Sequence, residues 1–169
     1  MQYVAFLRGI NVGGRIIKKD DLKAGLEKLG LDDVKTVLQS GNVLFSSDKT
    51  AEELKDIIEA GLTKTFNYPA KVWVLTLDEI HDIIAANPFA DAPPDYHQYV
   101  ILFEDGLEKD FVAETAGLKS EAVKLGNGVA YWKVQKGMTL QSSRGKLMSK
   151  TKYREHNTNR NIKTLQRLV

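Results

Sequence analysis

Cysteine is absent from this 169-residue chain. Disulfides and thiolate metal sites are therefore excluded, and a reducing, cytoplasmic location is expected. The three histidines, His81, His97 and His156, are scattered without metal-ligand spacing, so no metal site is expected. No apolar run approaches the roughly 20 residues that cross a bilayer, and no membrane partner is expected. The opening residues, Met-Gln-Tyr-Val-Ala-Phe-Leu-Arg, place no cationic stretch before a long apolar run, so no signal peptide is expected. Signals for catalysis are missing too. Ser40 and Ser143 lack the Gly-x-Ser-x-Gly setting of an elbow nucleophile. Asp20-Asp21 and Asp32-Asp33 read as helix-start and turn residues, not as a catalytic carboxylate pair. No reaction class follows, whether the protein is an enzyme stays open, and no cofactor is indicated. Proline is scarce: of four in the chain, three fall within residues 87–96, which makes that stretch the expected linker.

What is present is ordinary in bulk and uneven in charge. Hydrophobic residues make up 43% and charged residues 27%, values of a soluble globular protein. The net charge is only +2. Residues 129–169 nevertheless carry ten Lys or Arg against the single acid Glu155, while residues 1–128 carry fourteen against twenty-one acids. A basic tail of this kind suggests an anionic partner, and it equally suits a solvated helix that balances an acidic half.

Residues 2–8 form a continuous apolar run ending in Arg8-Gly9 and read as a buried strand. Val4 and Phe6 lie on one face, Ala5 and Leu7 on the other. One helix layer covers only one face, so the second half of the chain is expected to meet the other. After a glycine loop, Asp20-Asp21 opens a helix through Leu22, Leu26 and Leu29 that closes at Gly30. Strands are expected over 34–39 and 43–45 around the turn Ser40-Gly41-Asn42. Thr50 with Glu53 forms a capping box for a helix through Leu62, and a strand follows over 71–75. The order β-α-β-β-α-β is the split βαβ, or ferredoxin-like, unit.

A helix near 77–86 leads to the linker. The second half then repeats the order: a strand over 99–103, a helix over 107–117, and strands over 122–125 and 129–134 around Gly126-Asn127-Gly128. Helices over about 144–154 and 159–168 finish the chain. The expected fold is α+β, two ferredoxin-like (βαββαβ-type) subdomains packed together with C-terminal helices. Its expected divisions are residues 1–86, the linker 87–96, and residues 97–169.

Topology gives these loops a meaning. The first and third strands of such a unit are central, adjacent and antiparallel. Arg8, Asn11, Gly13 and Gly14 then lie beside Gln39, Ser40, Gly41 and Asn42. Arg8 offers a fork for phosphate or carboxylate, and the glycines let backbone N–H groups form an anion nest. The glycines match neither a P-loop nor G-x-G-x-x-G. Thr158, or Asn157, reads as the N-cap of the last helix, which puts Arg160 and Asn161 in its first turn. There a bound anion would offset the penalty of a cation at the positive end of the helix dipole. Ser142-Ser143-Arg144-Gly145-Lys146 is a small basic turn of similar character. An RNA-recognition module needs exposed aromatics on strands one and three, and Val43, Leu44 and Phe45 read instead as core.

Arg-Gly-Ile-Asn-Val-Gly-Gly over residues 8–14, Gln39-Ser-Gly-Asn-Val43, Asn87-Pro-Phe89 and Thr158-Asn-Arg-Asn161 resemble the signature of a bacterial family, domain of unknown function 1697. The resemblance spans essentially the whole chain. It implies two ferredoxin-like subdomains and no assigned activity. Members usually carry Trp where this chain has Ile162, and a serine where it has Gly145. Three readings follow from the residues: a phosphorylated or other anionic small ligand bound at the Arg8 loop, nucleic acid bound by the basic tail, or a structural and interaction protein without a ligand. The oligomeric state is not legible.

Overall fold

The computed structural model describes residues 1–38, 41–115, 122–138 and 142–169, with backbone alone at 143 and 144. The chain divides into two compact units, Met1–His81 with Arg167–Val169, and Asp82–Gln166.

In the first unit, β1 (Gln2–Arg8), β3 (Asn42–Ser46) and β4 (Lys71–Thr76) join β2 (Asp32–Thr36) in the order β2-β3-β1-β4. All neighbours are antiparallel, and β1 lies between β3 and β4, as the ferredoxin-like order requires. Tyr3, Ala5 and Leu7 project into one core with α1 (Lys19–Glu27) and α2 (Ala51–Phe66). Leu22, Leu26, Leu54 and Ile58 supply the helix side of that core, each fully buried. Burial of each such side chain is worth about 1.5–3 kcal/mol. Val4, Phe6 and Trp73 point to the opposite face and are buried as well.

Capping sets the helix limits. Thr50 Oγ1 accepts the Glu53 N–H at 3.3 Å, and Glu53 Oε2 accepts the Thr50 N–H at 2.8 Å. These bonds from Thr50 also hold the Glu53 carboxyl below its ordinary range. Thr76 and Glu79 repeat the box at the start of α3 (Leu77–Ala85).

The second unit has the corresponding order β6-β7-β5-β8, from β5 (Tyr96–Phe103), β6 (Ala122–Leu125), β7 (Val129–Gln135) and β8 (Asn157–Asn161). Its core gathers Ile101, Phe103, Trp132 and Val134 against Phe111 of α4 (Leu107–Glu114) and Tyr153 of α6 (Thr151–Arg154). On the other face of the sheet, Asn87 fixes the proline-rich stretch. Its Oδ1 accepts the Phe89 N–H at 3.1 Å and its Nδ2 donates to Gln98 Oε1 at 2.7 Å. Phe89 is buried, with the Lys124 and Lys133 ammonium groups 5.8 and 5.4 Å from its ring centre.

Several expected elements differ. The basic helix over 144–154 is two short pieces, α5 (Ser143–Met148) and α6, interrupted where Lys150 takes an extended conformation. The last helix does not begin at 159. Residues 157–161 are β8, which zips onto the free edge of β5 and buries Asn157 and Thr158. Sheet pairing overrides the local cap signal here, because an extended segment completes an otherwise open edge. Only α7 (Ile162–Gln166) is helical, and Asn161 does the capping, its Oδ1 accepting the Lys163 N–H at 3.0 Å. β2 starts two residues earlier and ends at Thr36, after which Leu38 turns to a φ of 62°. The strand expected from Tyr99 begins at Tyr96.

Candidate functional site

The loop after β1 is built by its own residues. Ile10 and Ile17 are buried in the core and pin both ends. Asn11 Oδ1 accepts the Ile17 N–H at 3.1 Å and closes the loop on itself. Gly9, Gly13 and Gly14 have φ of 72°, 65° and 80°, a region that favours glycine. Arg15 lies over the loop: its Nη1 donates to Gly9 O at 3.5 Å, and its guanidinium sits 4.8 Å above the Tyr68 ring centre. Burial pushes the Tyr68 phenol up, with Arg15 opposing. The hydroxyl of Tyr68 is one of two buried side-chain polar atoms without a hydrogen-bond partner among the described residues.

Strand register assembles the corner. Phe6 stands opposite both Asn42 and Trp73, and Arg8 stands opposite Lys71. Directly opposed residues of antiparallel strands leave the sheet on the same face, so Arg8, Lys71, Asn42 and Trp73 share one face, away from α1 and α2. The Leu7 N–H donates to Gly41 O at 2.8 Å and fastens the second loop to the end of β1. Two cations in direct cross-strand register repel one another. Glu59 approaches the same strand start, where its Oε1 accepts the Val72 N–H at 3.0 Å.

The equivalent corner of the second unit has opposite chemistry. Beyond the Phe103–Asn157 pair of β5 and β8, the Glu104 N–H donates to His156 O at 3.0 Å. The two side chains meet as well, His156 Nδ1 lying 2.7 Å from Glu104 Oε2.

Of the residues read from the sequence, Arg8, Asn11, Gly13, Gly14, Gly41 and Asn42 come together at one end of the first sheet. Gln39 and Ser40 lie outside the described residues. Two of the asparagines hold backbone: Asn11 as above, and Asn42 by donating to Val37 O at 3.3 Å. Arg160 and Asn161 belong to the second unit. Arg160 is in β8, so the helix-dipole reading of it falls away. Its Nη1 donates to Thr158 Oγ1 at 2.7 Å and to Asn159 O at 2.8 Å, and burial pushes its guanidinium down to about 10. Lys71 and the Arg15–Tyr68 stack were not read from the sequence. Lys71 was within reach of topology, since strand four of such a unit starts where strand one ends.

Part of the basic tail is used internally. Lys152 Nζ reaches Asp110 Oδ2 at 2.8 Å and Glu114 Oε1 at 3.4 Å, fastening α6 to α4. Among the described residues, no group of three or more His, Asp or Glu lies together to hold a metal. Nor is any described helix long and apolar enough to cross a membrane.

Two four-stranded antiparallel sheets in matching strand order, each with its helices, define an α+β protein of two ferredoxin-like subdomains. The chain belongs to the family described as protein of unknown function (DUF1697), whose model matches residues 1–131. It is similar to the structure of conserved bacterial protein SP0830 from Streptococcus pneumoniae, with a TM-score of 0.82 and 24% identity over 99% of this chain and 95% of that one. A likeness at that identity speaks for the fold. No curated protein matches the chain.

Proposed function

We propose that the protein binds a phosphorylated or otherwise anionic small ligand at the Arg8 corner of its first unit. One observation carries this reading: Arg8 directly faces Lys71, whereas the equivalent positions of the second unit hold the complementary pair Glu104 and His156. An anion that reaches both cations gains a charge-assisted contact with each. Gly13 and Gly14, with φ in the left-handed region, allow backbone N–H groups to approach such a ligand. The absence of cysteine favours a cytoplasmic ligand.

Isothermal titration with inorganic phosphate, sugar phosphates and nucleotides tests the reading. Arg8→Ala is expected to weaken binding on the order of ten- to a hundredfold, the loss of one charged hydrogen-bonding partner. If wild type and Arg8→Ala are equally inert toward every anion, the reading fails.

A further inference from the structure

Two carboxylates close the outer edge of β4. This strand is the last of its sheet and pairs with β1. Residues of antiparallel strands turn their N–H and C=O groups alternately to one side and the other. The Leu7 N–H donates to Gly41 O, on the β3 side of β1, so Val72, which stands opposite Leu7, turns its own groups away from β1. Val72, Val74 and Thr76, opposite Leu7, Ala5 and Tyr3, thus present the outer edge. Glu59 of α2 reaches the first of them, its Oε1 accepting the Val72 N–H at 3.0 Å. Glu79 of α3 reaches the last, its Oε2 accepting the Thr76 N–H at 2.7 Å. Val74 stands between them. On β8, an edge strand of the second sheet, a side chain likewise takes up backbone: Arg160 Nη1 donates to Asn159 O at 2.8 Å.

A sheet edge is a template for another strand. β4 reads Lys-Val-Trp-Val-Leu-Thr, apolar through its middle and free of proline, glycine and acids. Such a segment invites pairing with its own kind. Two copies of β4 match when they run antiparallel about Val74. Val74 then meets Val74, and Val72 meets Thr76 of the second copy. Each of these matches exchanges N–H···O bonds in both directions. We infer that Glu59 and Glu79 keep the protein from pairing with a second copy of itself through β4. They hold two of the three N–H groups on each edge that the pairing uses. Charge adds to this. With Val72 against Thr76 of the second copy, Glu59 of each chain is brought to Glu79 of the other. Both carboxylates lose their N–H bonds and face a like charge, which opposes pairing.

The test uses the full chain in sedimentation and in amide hydrogen exchange. In the double variant Glu59→Ala, Glu79→Ala, dimers are expected to grow with protein concentration. The Val74 amide is expected to gain about tenfold protection as they form. In wild type the Val74 amide is expected to exchange at a rate independent of concentration. Adding Val74→Pro to the double variant is expected to abolish the dimer, since it removes an outward N–H and leaves the ladder with β1 intact. Glu79 also caps α3, so Glu59→Ala alone, which keeps that cap, carries the test if the double variant does not fold; it is expected to dimerise more weakly. A folded variant of either kind that shows no concentration-dependent association overturns the inference. So does a dimer that survives Val74→Pro, which places the contact elsewhere. Protection of Val74 that rises with concentration in wild type is equally fatal, because the edge is then already open.

Discussion

At the end of its first strand, the first unit places Arg8 opposite Lys71 and follows it with a glycine loop pinned by Ile10 and Ile17. The second unit, with the same strand order, places Glu104 beside His156 and turns at once through Asp105 and Gly106 into α4. One fold thus offers the same corner twice. In one copy the two side chains meet in a hydrogen bond and the connection is short. In the other the charges are alike and the connection is long, glycine-rich and rimmed with exposed aliphatics. Sheet topology creates the corner in both units; side-chain chemistry sets the two apart. The helix layers differ too. The first unit rests on α2, a 16-residue helix with a capping box. The second rests on α4, of eight residues, joined by α5 and α6, of six and four residues, and anchored by the fully buried Tyr153.

Mutations can break this comparison at several points. The largest effect is expected from Tyr153→Ala. It empties the space between Phe103 and Phe111 and is expected to destabilise the protein by about 3–5 kcal/mol. Hydrogen exchange should show the lost protection in residues 82–166 and spare α1 and α2; uniform loss across both units would deny their separate cores. A charge exchange tests the corners directly. Arg8→Glu reverses the charge that faces Lys71 and is expected to abolish phosphate binding. Glu104→Arg removes the carboxylate that meets His156 and is expected to lower stability by about 0.2–1 kcal/mol. Urea unfolding and phosphate titration of both variants check this. Unchanged phosphate binding in Arg8→Glu would remove the corner as an anion site.

The smallest effect is a pH dependence. Burial, and then Glu114, whose Oε1 accepts a hydrogen bond from the phenol at 2.6 Å, push Tyr153 up to about 12. The folded state thus favours the neutral phenol. Its contribution is complete below about pH 10, the ordinary tyrosine value, and is lost as pH rises toward 12. The melting temperature of wild type is expected to fall over that window more steeply than that of Tyr153→Phe. Parallel curves would show that the phenol adds nothing.

Much of the fold was legible because it is written locally. Thr50 with Glu53, Gly30, and Gly126-Asn127-Gly128 mark boundaries by hydrogen bonds and backbone conformations set within a few residues. The alternation of Val4 and Phe6 with Ala5 and Leu7 announced a strand covered on both faces. The end of the chain misled for a physical reason. Thr158-Asn-Arg-Asn161 carries a good helix cap, yet pairing with β5 contributes a whole row of backbone hydrogen bonds and outweighs one cap. The candidate site was half legible. Arg8, the glycines, and Gly41 with Asn42 follow from strand order. Lys71, and the Tyr68 ring on which Arg15 stacks, come from chain segments more than fifty residues away from the loop.

The residues at 8–14 by themselves determined that a strand ends in a cationic, glycine-bearing loop, because charge and backbone freedom belong to single residues. Only the tertiary structure decided what that loop faces. Register brings Lys71, not an acid, opposite Arg8, and the packing of Ile10 and Ile17 leaves Val12 and Ile16 in water. Those are relations between distant segments, and no local pattern encodes them.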